Sequence, residues 1–168
     1  MGIVVDACVA QSASPNIAEP ARSCRDVLDA IYSQGYAAVM SPDLQAEWKR
    51  HYSNYSRKWL RQMLGRKQVR RVSPQEILDL RAAIQNSGLS ARKQAAADKD
   101  LHLVEAAASD DRRIISRDDK ARAIFAGLSA ESRPLRQVAW VTMSSNPTGW
   151  LSGGAHRASH ELGQPPPR

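Results

Sequence analysis

The sequence predicts an α/β layer structure with a mostly parallel sheet. Three observations carry that reading. Short, β-branched apolar runs stand at 3–5 ("IVV"), 36–40 ("YAAVM"), 112–116 ("RRIIS") and 137–143 ("QVAWVTM"). Segments of helical periodicity alternate with them. An acid or a serine follows closely on three of these runs, as Asp6, Ser41 and Asp118. Such alternation suits parallel strands joined by helical crossovers, with sites outside the carboxyl ends of the strands.

The elements follow in order. "IVV" ends at Asp6 and reads as a buried strand. "QSASPN" reads as a loop. From Glu19 to Ser33 the apolar positions Ala21, Cys24, Val27, Leu28 and Ile31 lie at helix spacing, and Gly35 stops the helix. After "YAAVM", Ser41 suits an N-cap and Pro42 a first turn. A long helix in two parts is expected to run from there to about Gly65, with "GRKQVRR" as a basic connector. Ser73 with Glu76 three residues later has the capping-box pattern, so a helix to about Ala83 is expected, with "NSG" as its stop. A short helix begins after Ala97, capped by Asp98, with Leu101, Val104, Ala107 and Ala108 inward and Glu105 and His102 at the surface. "DKARAIFAGL" is a helix begun by aspartates. Residues 1–143 read as one domain and 144–168 as a C-terminal extension whose last dozen residues form a flexible tail.

The chain has 168 residues, 42% hydrophobic and 24% charged, enough for one domain with its own core. No apolar run is long enough to span a bilayer, and "GIVVDACVA" lacks the basic and apolar regions of a secretory signal. Cys8 and Cys24 are the two cysteines; Cys8 reads as a small core residue, and a reducing cytoplasm fits. The formal net charge of +7 favours an acidic partner, of which nucleic acid is the commonest.

Four carboxylates from separate segments fall near strand ends. Asp6 follows the first strand and Asp118 a later one. Asp100 lies in the first turn of its expected helix, and Glu47 in the second turn of the helix after "YAAVM". Each alone reads as a cap, a turn former or, for Glu47, a partner of Arg50. Clustered, they repel, and a divalent cation removes the conflict. Magnesium and manganese take such hard oxygen ligands, and an acidic metal site on a basic protein suits phosphodiester cleavage.

"VVDACVA", "SPDLQAEW" and "KDLHLVEAAASDDRRIISRDD" together resemble the PIN-domain family of metal-dependent ribonucleases. The family pattern has an acid after the first strand, a glutamate on an early helix, a D-x-x-h-x-x-A-A helix and a following [ST]-x-D. Asp6, Glu47, Asp100 and Ser116-Arg117-Asp118 match it, over roughly residues 2–142. The resemblance implies a three-layer α/β/α sandwich with a parallel sheet of four or five strands. It implies Mg2+- or Mn2+-dependent endoribonuclease chemistry, with Asp6, Glu47, Asp100 and Asp118 as catalytic metal ligands and Asp119 as an assisting acid. Many bacterial members are toxins neutralised by an antitoxin protein, so a toxin–antitoxin pairing is an expectation of the same kind. A homodimer is expected from family habit and from the aromatic-rich helix.

"WKRHYSNYSRKWLRQMLGRKQVRR" interleaves cations with aromatics. Trp48, Tyr52, Tyr55 and Trp59 fall at helical spacing, which reads first as core or helix-pair contact. The cations then form a solvated face, with Lys49, Arg57, Lys58 and Arg61 expected to hold single-stranded RNA by its phosphates. Two readings stand beside the ribonuclease: a PIN-like RNA- or protein-binding regulatory module with little catalysis, and a DNA- or flap-directed nuclease.

Overall fold

A computed structural model describes residues 1–164. Strands β1 (Gly2–Val5), β2 (Ala37–Met40), β3 (Val69–Arg71), β4 (Arg113–Ser116) and β5 (Ala139–Thr142) form one sheet in the order β3-β2-β1-β4-β5. Every adjacent pair of these strands is parallel. Helices cover both faces, which gives the three-layer α/β/α sandwich. β1, β2 and β5 are buried along their whole length, as a sheet covered on both faces requires.

β3 corrects the expectation of a basic connector at 65–71. Its sequence is Val-Arg-Arg, and both arginines are exposed at the edge of the sheet. Charged side chains on an edge strand discourage pairing with another chain, and they hide the strand from a search for apolar runs.

On one side lie α1 (Ala7–Ser12), α2 (Ala21–Ser33), α4 (Asn54–Gly65) and α9 (Pro147–Ser152), which touch one another in turn. α5 (Leu78–Asn86), α6 (Ala91–Ala108), α7 (Asp119–Leu128) and α8 (Arg133–Arg136) form a second group. α3 (Pro42–His51) packs against both α1 and α6. The long basic helix does break in two. Ser53 caps α4 by accepting the Ser56 N–H at 3.1 Å, and Ser41 caps α3 by accepting that of Leu44 at 3.2 Å. The aromatics are mainly structural: Trp48 and Trp59 are buried with ring centroids 5.9 Å apart, while Tyr52 and Tyr55 are half-buried. The Trp48 indole N–H donates to the Val5 carbonyl at 2.8 Å, and that of Trp59 to Leu28 at 2.6 Å.

Three helix boundaries differ from expectation. Ser73 starts no helix; α5 begins at Leu78. The backbone N–H of Ile77, its first flanking group, is satisfied by Glu105 at 3.0 Å. α6 starts seven residues before Asp98, capped by Ser90, so Asp98 is a mid-helix surface residue and Asp100 lies in the third turn. A short helix, α1, follows Asp6 directly, over residues where the sequence predicts none, and takes in Gln11 and Ser12 of the expected loop.

The extension is folded onto the domain. The Tyr36 hydroxyl donates to the Leu151 carbonyl at 2.8 Å, and the Trp150 indole to that of His156 at 2.7 Å. Instead of a flexible tail at 157–164, Trp140 N–H donates to the His160 carbonyl (3.1 Å) and Leu162 N–H to that of Val138 (2.9 Å), with Leu162 buried. Residues 165–168 of the expected tail lie outside the described residues. Among the described residues no helix is long and apolar enough to cross a membrane.

Candidate functional site

The strand order reverses direction at β1 and β4, so the crevice between their carboxyl ends is where an open parallel sheet forms a site. Val5 pairs with Ile115, and the next N–H, that of Asp6, continues the ladder to the Ile115 carbonyl at 3.0 Å. Asp6 and Ser116 are thereby set side by side. The buried Ser116 hydroxyl donates to Asp6 Oδ2 at 2.6 Å and accepts the Asp118 N–H at 3.0 Å. Asp6 Oδ1 accepts the Cys8 N–H at 3.1 Å and caps α1. Asp118 Oδ1 accepts the Ala121 N–H at 2.8 Å and caps α7. Capping and membership of the cleft coexist in both residues.

Asp6, Glu47, Asp100 and Asp118 all line one cavity of about 180 Å³, together with Cys8, Gln11, His51 and Lys99. Asp100 is buried, and that burial, with the nearby Asp6 and Asp118 charges, pushes its pKa up from 3.8 to about 6. Lys99 opposes the shift, but its ammonium stands 3.8 Å away on a largely exposed side chain, where an ion pair contributes little. The Cys8 thiol is pushed above its usual range by burial and by Asp6, which favours its protonated form.

Other expected residues stand elsewhere. Asp119 does not reach the cavity: its carboxylate accepts from the Thr142 hydroxyl (2.6 Å) and the Ser144 hydroxyl (3.0 Å), tying α7 to the end of β5. Glu47 lies against His102 rather than Arg50, Oε2 3.0 Å from Nε2, an ion pair only when the imidazole is protonated. His102 is therefore not a surface residue; its Nδ1–H donates to the Lys99 carbonyl at 2.9 Å, which fixes the ring. Glu105 is buried rather than solvated and holds Arg81 through both oxygens at 3.1 and 3.0 Å. Asp110 and Asp111 lie at the opposite edge of the sheet, where Arg70 reaches both, at 3.1 and 3.0 Å. Acids at the amino edge hold Arg70 closely, whereas the lysine in the cleft, Lys99, stands 3.8 Å from Asp100 on a largely exposed side chain.

The donor set fits a divalent cation in kind, being carboxylate oxygens from four segments around one small cavity. In its present pose Asp6 is hydrogen-bonded to Ser116, and Glu47 Oε2 faces His102 Nε2 without a hydrogen bond. In this pose no group of three or more His, Cys, Asp or Glu among the described residues is set to hold an ion.

Lys49, Arg57, Lys58 and Arg61 are all exposed, but only three of them converge. Lys49, Arg57 and Arg61 line a cavity of about 390 Å³ between α3, α4 and β3, together with Arg71. Lys58 is absent from it because one residue along a helix turns the side chain by about 100°. Sequence reasoning missed Cys8, Gln11 and Lys99 in the acidic cleft.

The fold and this cleft define an α/β protein of parallel sheet with an acidic site at the carboxyl edge. No family model matches the chain, and no curated protein or solved structure matches it.

Proposed function

We propose that this chain is a divalent-metal-dependent endoribonuclease of PIN-like type, acting on single-stranded RNA. One observation carries the proposal: four acids remote in sequence line a single cleft at the carboxyl edge of a parallel sheet, on a chain of net charge +7. Asp6, Asp100 and Asp118 would hold Mg2+ or Mn2+, and Glu47 would ligate it or hold its water. Such an ion, when bound, supplies activation of water and neutralisation of phosphate charge. Ser116 fixes the Asp6 carboxylate, as partners behind a ligand do. The surrounding cations hold the polyanion near the cleft.

The test is incubation of labelled single-stranded RNA with manganese, then with a chelator. Internal cleavage that the chelator stops, and that Asp118→Asn abolishes in a folded protein, supports the enzyme. The pose of the cleft, with Asp6 bonded to Ser116 and Glu47 turned toward His102, favours a second reading, an RNA-binding module with little chemistry. Shifted but intact RNA under both conditions would select it.

A further inference from the structure

The cavity between α3, α4 and β3 combines two features that do not usually meet on a solvated surface. Four cations line it, Lys49, Arg57, Arg61 and Arg71, and no carboxylate does. Among the described residues none of the four takes part in an ion pair, although Arg22, Arg25, Arg70 and Arg81 all find acids elsewhere. Its walls are apolar: the half-buried Tyr52 lies in it, and Leu64 stands 47% exposed at its margin. Four uncompensated cations repel one another, and an apolar wall in water is unfavourable; an organic anion relieves both. About 390 Å³ lies at the small end of the range for small-ligand sites.

We propose that this cavity is a subsite for one nucleotide of the bound strand. Its base packs against Tyr52 and Leu64, and its phosphate is held by Arg61 and Arg71 with Lys49 and Arg57 at the rim. Arginine forks suit phosphate oxygens, and aromatic faces accept any base. The position relative to the acids follows from α3. Glu47 and His51 face the acidic cleft, whereas Lys49 and Tyr52 face this cavity, so the two are separated by one helix width, about 10 Å. A single strand crossing α3 places one nucleotide here and a neighbouring phosphodiester at the acids. The inference deepens the RNA reading and rests on it for the identity of the strand.

The experiment measures binding of a labelled short oligoribonucleotide in excess chelator, across a salt series, with competition by adenosine 5′-monophosphate and by inorganic phosphate. The double variant Arg61→Gln/Arg71→Gln is expected to weaken binding about tenfold or more and to flatten the salt slope by about 1. Leu64→Glu, which sets a carboxylate on the wall, weakens it comparably, and Arg133→Gln, at an exposed cation on α8 away from both cavities, leaves it unchanged. The mononucleotide competes; inorganic phosphate at equal concentration does not. Equal losses from Arg133→Gln and from the double variant overturn the proposal, as does competition by phosphate as strong as by the nucleotide. Because chelator is present throughout, the result is independent of cleavage. Failure of the nuclease reading shows instead as intact RNA with manganese.

Discussion

At the scale of single residues, Asp100 is the clearest reporter of the cleft. Its folded-state pKa of about 6 exceeds the ordinary value of 3.8, so the folded chain holds that proton more tightly than the unfolded one. The stabilisation is complete below about pH 4 and is lost as the pH rises through about 6. In chelator, Asp100→Asn is therefore expected to be more stable than the parent at pH 7.5, by on the order of 2 kcal/mol, and to lose that advantage at pH 4. Thermal unfolding of both proteins at the two pH values checks it. Ser116→Ala releases the Asp6 carboxylate and is expected to lower RNA cleavage about 10–100-fold while the fold persists. A cleavage assay beside a far-ultraviolet spectrum checks that. The acids were legible in the sequence because each follows a strand or sits at a fixed step from one. The Glu47–His102 contact was not legible, since residues on different helices far apart in the chain carry no local sign of it.

At the scale of elements, α3 does two jobs. Its buried Trp48 is tied to the end of β1 through the Val5 carbonyl, and this sets Glu47 of the same turn beside Asp6. Trp48→Phe is expected to leave that buried carbonyl unpaired and to cost about 1–3 kcal/mol, with a loss of activity beyond the loss of stability. Denaturant midpoints and cleavage rates on the same preparations separate the two effects. The apolar stripe of α2 and the capping serine of α3 were readable. The start of α6 was not, because Asp98 mimics a cap while the true cap, Ser90, precedes the polar turn Ala-Arg-Lys-Gln. β3 escaped for a related reason: an edge strand has one neighbour and tolerates arginines, so the burial that marks other strands is missing.

At the scale of the whole molecule, charge is segregated. Acids at the amino edge of the sheet are answered by Arg70, those at the carboxyl edge line the cleft, and four cations that form no ion pair among the described residues line the cavity beyond α3. The parallel order β3-β2-β1-β4-β5 produces this by bringing Asp6 and Asp118 to adjacent strand ends. The resemblance stated from sequence could anticipate that convergence, but not the placement of residues 144–164, whose contacts with β5 are made by backbone groups any sequence carries. The central claim is that the cleft acids share a divalent ion. Titration of manganese into the chelator-stripped protein, followed by the electron paramagnetic resonance of free Mn2+, measures it directly. Saturable uptake by the parent that is lost in Asp6→Asn/Asp118→Asn is the expected result. Uptake that is equal in both proteins, or absent from both at millimolar manganese, would contradict the account.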